Sequence, residues 1–126
     1  VARGSGQLVG ISSLAAEIAM PVAAAYGTSK AALSFFLQSA TLDLESRGVF
    51  VTDVHPGFVR TPLTDKNEFK MPFIVEVEDA AKIIDRGIQK KKRVVRFPLA
   101  LTSAITGSSV LPHALKRAIM NKNRPR

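Results

Sequence analysis

Strands alternating with helices along this chain predict a layered α/β fold on a parallel sheet, and three observations carry the prediction. β-branched apolar runs recur in GQLVGIS, VFVTDVHP and RVVRFP; the stretches between them carry apolar residues at helical spacing; and Gly or Pro closes most of these elements. The 126 residues are enough for one ordinary domain, and a hydrophobic share of 46% is enough for a packed core. Strand, helix, strand, helix, strand in that order implies parallel pairing through right-handed crossovers.

The first strand runs from Gly6 to Ser12 and is apolar enough to be buried on both faces. LAAEIAMP then forms a loop ended by Pro21, and a helix is expected from Ala24 to Arg47, about 36 Å long at about 1.5 Å per residue. Leu33, Leu37, Ala40 and Leu44 fall along one side of it, Phe36 widens that stripe, and Gly48 supplies the C-terminal cap. The second strand begins at Val49 and closes at Pro56. A polar loop, GFVRTPLTDKNEFKMP, follows and is long enough to be functional. VEDAAKIIDRGI, from Val77, has the period of a second helix, and RVVRFP forms the third strand. Residues 98–126 are expected to form a helix broken at Gly107 and Pro112 that packs over the site and ends in a basic tail. Their apolar stretches are too short and too rich in Ser and Thr to span a bilayer.

Zero cysteines exclude disulfides and thiolate metal sites, and His55 and His113 are too isolated to form a ligand cluster, so no metal is expected. The net charge of +8 raises nucleic-acid binding, but ten of the eighteen Lys and Arg residues fall from Lys90 onward, with no series of aromatic residues interleaved as stacking platforms. A solvated face is the ordinary reading of such a tail; attraction to an acidic carrier or a membrane surface is the alternative. The opening, VARGSGQLVG, has neither an initiator Met nor a charged-then-apolar targeting pattern. A cytoplasmic location is expected, and the chain reads as part of something longer.

Chemistry concentrates in three places. Tyr26 and Lys30, four apart on a helix, are neighbours about 5 to 6 Å apart on one face. A free tyrosine titrates at about 10, and an adjacent ammonium favours its phenolate, which suits proton transfer; a surface pair is the plainer account. Ser13 ends the first strand, where parallel-sheet proteins place ligand crevices, though a serine there is ordinarily a cap or turn former. Ser12 precedes it, and only one of the two can face the following helix. PGFVRT, from Pro56 to Thr61, turns the chain at the end of the second strand and is expected to offer backbone N–H groups and a hydroxyl to the same crevice.

Taken together, Ser13, Tyr26 thirteen residues later, Lys30 in Y-G-T-S-K, and P-G-F-V-R-T after the next strand resemble the carboxyl half of the short-chain dehydrogenase/reductase family, over about Gly6 to Phe97. The resemblance implies the carboxyl half of a Rossmann-like, doubly wound parallel sheet, with residues 1–97 forming that half. It implies an oxidoreductase that moves a hydride between NAD or NADP and a carbonyl or alcohol. Tyr26 would be the general acid or base, Lys30 would tune it and hold the nicotinamide ribose, and Ser13 would polarise the substrate oxygen. Pro56, Gly57, Val59 and Thr61 would position the nicotinamide ring and its carboxamide. The resemblance also implies a homo-oligomer pairing through the Ala24–Arg47 helix, whose apolar stripe could equally be plain core.

The chain carries no glycine-rich pyrophosphate turn, no acidic or basic selector between NAD and NADP, and neither the N-A-G strand end nor the relay asparagine of that family. The expected account is the carboxyl portion of a longer polypeptide; a molecule ending at Val1 would bind dinucleotide weakly and not turn over. A non-catalytic binding or assembly module that keeps the fold is the competing function, and polyanion binding by the basic tail ranks last. Leu63, Met71, Pro72 and Phe73 are the expected apolar lid over a small substrate.

Overall fold

In the computed structural model, residues 3–67, 71–109, 111, 112, 114, 115 and 117 are described. His113, Lys116 and the KNRPR terminus therefore lie outside the described residues. The elements are strand β1 (Gly6–Ile11), helix α1 (Ala24–Leu44), strand β2 (Val49–Pro56), helix α2 (Val77–Gln89), strand β3 (Val94–Phe97) and helix α3 (Leu99–Ser109). The three strands form one sheet in the order β1-β2-β3, parallel throughout, as the alternation of elements predicts. Gly6 pairs with Val49 and Ile11 with Val54, while Asp53 pairs with Val94 and Pro56 with Phe97. The ladder runs one bond past β1, with the Ser12 N–H donating to the Val54 carbonyl at 2.7 Å.

Alternation along β2 divides the core into two layers. Val54 joins Ala80 of α2 and Val95 and Phe97 of β3 in a buried cluster, flanked by Val9, Ile83 and Ile84. On the opposite face α1 lays Ser34, Leu37 and Ala40 against the sheet. Each fully buried Val, Leu or Phe in these layers is worth about 1.5–3 kcal/mol of transfer free energy. Leu37 sits in the space above Gly10, where a methyl group on the strand would overlap its Cδ1 atom.

Three details depart from the expectations. β1 is not buried on both faces: Leu8 is 37% and Ile11 46% exposed, because β1 has a strand neighbour on one side only among the described residues. The expected stripe on α1 divides, with Leu37 and Ala40 in the core and Phe36 on the outer surface beside Phe35 and Leu42. Gly107 does not break a helix but lies within α3, which ends at Ser109 just before Pro112. The end of α1 follows the expected course, tightening into a 3-10 turn over Glu45–Arg47 before Gly48 takes a left-handed conformation (φ 75°) that favours glycine. A side chain there would also run into the Gly4 carbonyl.

Candidate active site

The carboxyl ends of β1 and β2 lie side by side, and Ser13, Lys30 and Pro56 meet there. Ser13 has extended backbone and N-caps a 3-10 turn, Leu14–Ala16, its oxygen accepting from the Ala15 N–H at 3.1 Å. Its hydroxyl donates to the Pro56 carbonyl at 3.4 Å, which joins the end of β1 to the Pro-Gly turn of β2. Ser12 turns the other way, donating to the Lys30 carbonyl at 3.2 Å, so the strand's alternation sends one serine toward α1 and the other toward β2.

Helix α1 enters this corner through Gly27. A Cβ there would sit 3.1 Å from the Ala15 carbonyl oxygen, so the first turn of α1 rests on the turn that Ser13 caps. No side chain caps α1 at Ala23. Tyr26, half-exposed, and Lys30 occupy successive turns, with the Lys30 ammonium 5.8 Å from the centre of the Tyr26 ring. The ammonium also donates to the Ile11 carbonyl at 2.9 Å. One of its three hydrogens is thus anchored at the end of β1, and two are left for a ligand.

The turn after β2 has its backbone N–H groups already engaged, where the sequence implies free donors. The Gly57 N–H donates to the Phe97 carbonyl at 2.7 Å, Arg60 N–H to the Val75 carbonyl at 2.9 Å, and Thr61 N–H to the Thr64 hydroxyl at 2.8 Å. The Thr61 hydroxyl also lies 3.2 Å from that of Thr64. These donors are already engaged, Gly57 by β3, Arg60 by Val75 across the Val59–Val75 bridge and only Thr61 within the loop itself, because buried backbone N–H groups must find partners. Gly57 is a close approach: a Cβ would lie 2.8 Å from Leu101 of α3. A Glu76 hydrogen bond and charge raise the Arg60 guanidinium above its ordinary value and hold the far side of the loop. Of the expected lid, Leu63 and Phe73 are exposed.

A polar chain that sequence reasoning missed runs beneath the corner. His55, Asp53 and Ser34 are all buried between α1 and β2. Ser34 donates to Asp53 Oδ2, and His55 Nε2 lies 2.7 Å from the same oxygen. His55 Nδ1 is 2.6 Å from Glu17 Oε1, off the axis of the ring N–H, a close contact rather than an aligned hydrogen bond. Arg96 of β3 completes the chain, its Nε donating to Glu17 Oε1 at 2.7 Å. The available signal was Asp and His two apart, at core-facing positions of a valine-rich strand.

Among the described residues no group of three or more His, Cys, Asp or Glu side chains could hold a metal, and no helix is long and apolar enough to cross a membrane. The family model for short chain dehydrogenase matches residues 1–71. An uncharacterized oxidoreductase of Myxococcus xanthus is 44% identical over 115 residues, covering 91% of this chain and 46% of its own length. Dehydrogenase/reductase SDR family member 7B of Danio rerio is 31% identical over 136 residues, covering 98% of this chain and 44% of its own. Among solved structures, a short-chain dehydrogenase from Sphingobium yanoikuyae in complex with NADPH superposes with a TM-score of 0.70 at 26% identity, covering 90% of this chain and 48% of that one. The chain thus spans less than half the length of each of these relatives.

Proposed function

Because the chain belongs to the short-chain dehydrogenase/reductase family, we propose that it is the catalytic carboxyl half, residues 1–97, of an oxidoreductase acting on a carbonyl or alcohol with NAD or NADP. The observation that carries this is the convergence of Ser13, Lys30 and Pro56 on the adjacent ends of β1 and β2, with Tyr26 one helical turn from Lys30. The corner fits a nicotinamide nucleotide, since Lys30 keeps two ammonium hydrogens for ribose hydroxyls and Tyr26 is half-exposed beside it. A bound nicotinamide supplies or accepts the hydride.

The chain's own residues manage the oxygen and its proton. In reduction, Tyr26 gives its phenolic proton to the carbonyl oxygen as the carbon gains hydride, leaving a phenolate that Lys30 stabilises; in oxidation the phenolate takes that proton back. Ser13 turns its hydroxyl hydrogen from the Pro56 carbonyl, a long bond of 3.4 Å, toward the substrate oxygen. Pro56, Gly57, Val59 and Thr61 would hold the nicotinamide. The exposed face of α1, with Phe35, Phe36 and Leu42, pairs with a second copy.

Cyclopentanone and benzophenone, each with NADH and with NADPH, test the reading in the intact polypeptide that carries this chain. Tyr26→Phe lowers kcat by about 10²–10⁴-fold, the range for a lost general acid, while nucleotide affinity followed by fluorescence stays near wild type. Wild-type turnover in Tyr26→Phe overturns the assignment.

A further inference from the structure

The turn that carries Ser13 is held at its two ends by two adjacent residues of β2, Pro56 and His55. At its start, the Ser13 hydroxyl reaches the Pro56 carbonyl at 3.4 Å, too long to fix a side chain by itself. At its end, Glu17, which follows the turn as its C-cap, meets His55, the residue before Pro56, with 2.6 Å between Oε1 and Nδ1. These contacts close a ring from Ser13 through the 3-10 turn to Glu17, across to His55 and Pro56, and back to the Ser13 hydroxyl. Neither partner in the second contact is free to swing. His55 is 3% exposed, with its other nitrogen 2.7 Å from Asp53, and Glu17 is held from outside by Arg96 at 2.7 Å.

We infer that Glu17 and His55 act as positioning residues, a clamp that sets the place of the Ser13 hydroxyl relative to the crevice, an assignment that rests on the oxidoreductase reading above. The geometry is that of a supporting shell: neither residue is one of the reacting groups Ser13, Tyr26 and Lys30, yet together they span the turn on which the polarising hydroxyl is mounted. Removing it leaves the serine in place chemically but lets the turn shift against the Pro-Gly corner. A misplacement on the order of 1 Å at a reacting group can cost about a hundredfold in rate.

The test uses the intact polypeptide and the faster of the two ketones named above. Glu17→Ala lowers kcat by about tenfold or more, while the nucleotide KM stays within about twofold, because Lys30 is anchored separately on the Ile11 carbonyl. Glu17→Gln keeps an oxygen for Arg96 and His55 and recovers most of kcat. His55→Gln gives a loss like that of Glu17→Ala, and the double variant adds little to either, since both remove one clamp. Wild-type kcat in Glu17→Ala, equal losses in the Ala and Gln variants, or losses that multiply in the double variant overturn the inference.

The amide resonance of Ala15, which donates to the Ser13 oxygen at 3.1 Å, gives a readout independent of turnover. It must move and exchange faster in Glu17→Ala; an unmoved Ala15 amide overturns the clamp. A wild-type protein that reduces neither ketone counts against the oxidoreductase reading and leaves that amide to decide the clamp.

Discussion

Gly10 illustrates how one absent side chain decides a packing distance. The strand residue faces α1, and a methyl group there would overlap Cδ1 of Leu37, itself 2% exposed and unable to retreat without moving the helix. Gly10→Ala should therefore destabilise the protein by about 1–3 kcal/mol, the cost of overpacking a well-filled core, read as a lower midpoint in urea at unchanged slope. An unchanged midpoint would mean that α1 is free to lift from the sheet. Whether a residue's role could be read from sequence depended on how far its partner lay along the chain. Tyr26 and Lys30 are one helical turn apart, so their proximity followed from helix geometry alone. Glu17 and His55 have no local periodicity in common; only the parallel register, which pairs Ile11 at the end of β1 with Val54 just ahead of His55, brings them together. The PGFVRT turn failed in the opposite sense. Its residues announced a turn correctly, but the partners that occupy its N–H groups, Phe97 and Val75, lie on other segments.

At the level of elements, termini were read best where a backbone conformation demands one residue type. Gly48 marked the end of the α1 region because a left-handed C-terminal residue favours glycine. The end of α2 shows the same motif with the wrong residue in it. Lys92 N–H bonds the Gly87 carbonyl and Lys91 N–H the Ile88 carbonyl, both at 2.9 Å, which is the double bond pattern of a Schellman cap. Lys91 fills the left-handed position with φ 48°, where a Cβ costs about 1–2 kcal/mol relative to glycine. Lys91→Gly should relieve most of that cost, offset in part by the added freedom of glycine in the unfolded chain, for a net gain of about 0.5–1 kcal/mol in thermal or urea unfolding. A loss of stability instead would show that the lysine stem contributes packing that outweighs its strain. Burial of β1 was misjudged for a different reason: an apolar run reports what a strand can tolerate, whereas its exposure depends on how many neighbours the sheet supplies.

For the whole molecule, the three-stranded sheet leaves two apolar surfaces open among the described residues: the outer edge of β1, with Leu8 and Ile11, and the outer face of α1, where Phe35, Phe36 and Leu42 are 73%, 60% and 83% exposed. The 126-residue chain expressed alone should therefore self-associate, and the two surfaces predict different forms of association. An open strand edge templates further strands and grows without a fixed stoichiometry. A helix face closes on its own symmetry mate and stops at two. On the helix face, burying two phenylalanines from each of two copies is worth on the order of 6–12 kcal/mol gross, at about 1.5–3 kcal/mol per side chain. That is comparable to the roughly 4–15 kcal/mol lost in immobilising two bodies, so pairing at micromolar concentration is marginal on this contact alone and any excess comes from Leu42 and its surroundings. Sedimentation equilibrium over a concentration series separates the cases. A monomer–dimer equilibrium abolished by Phe35→Glu with Phe36→Glu and indifferent to Leu8→Lys is the expected outcome for α1 pairing. Open-ended association suppressed only by Leu8→Lys would assign the contact to the strand edge. A chain that stays monomeric at every concentration would show that neither surface binds a second copy.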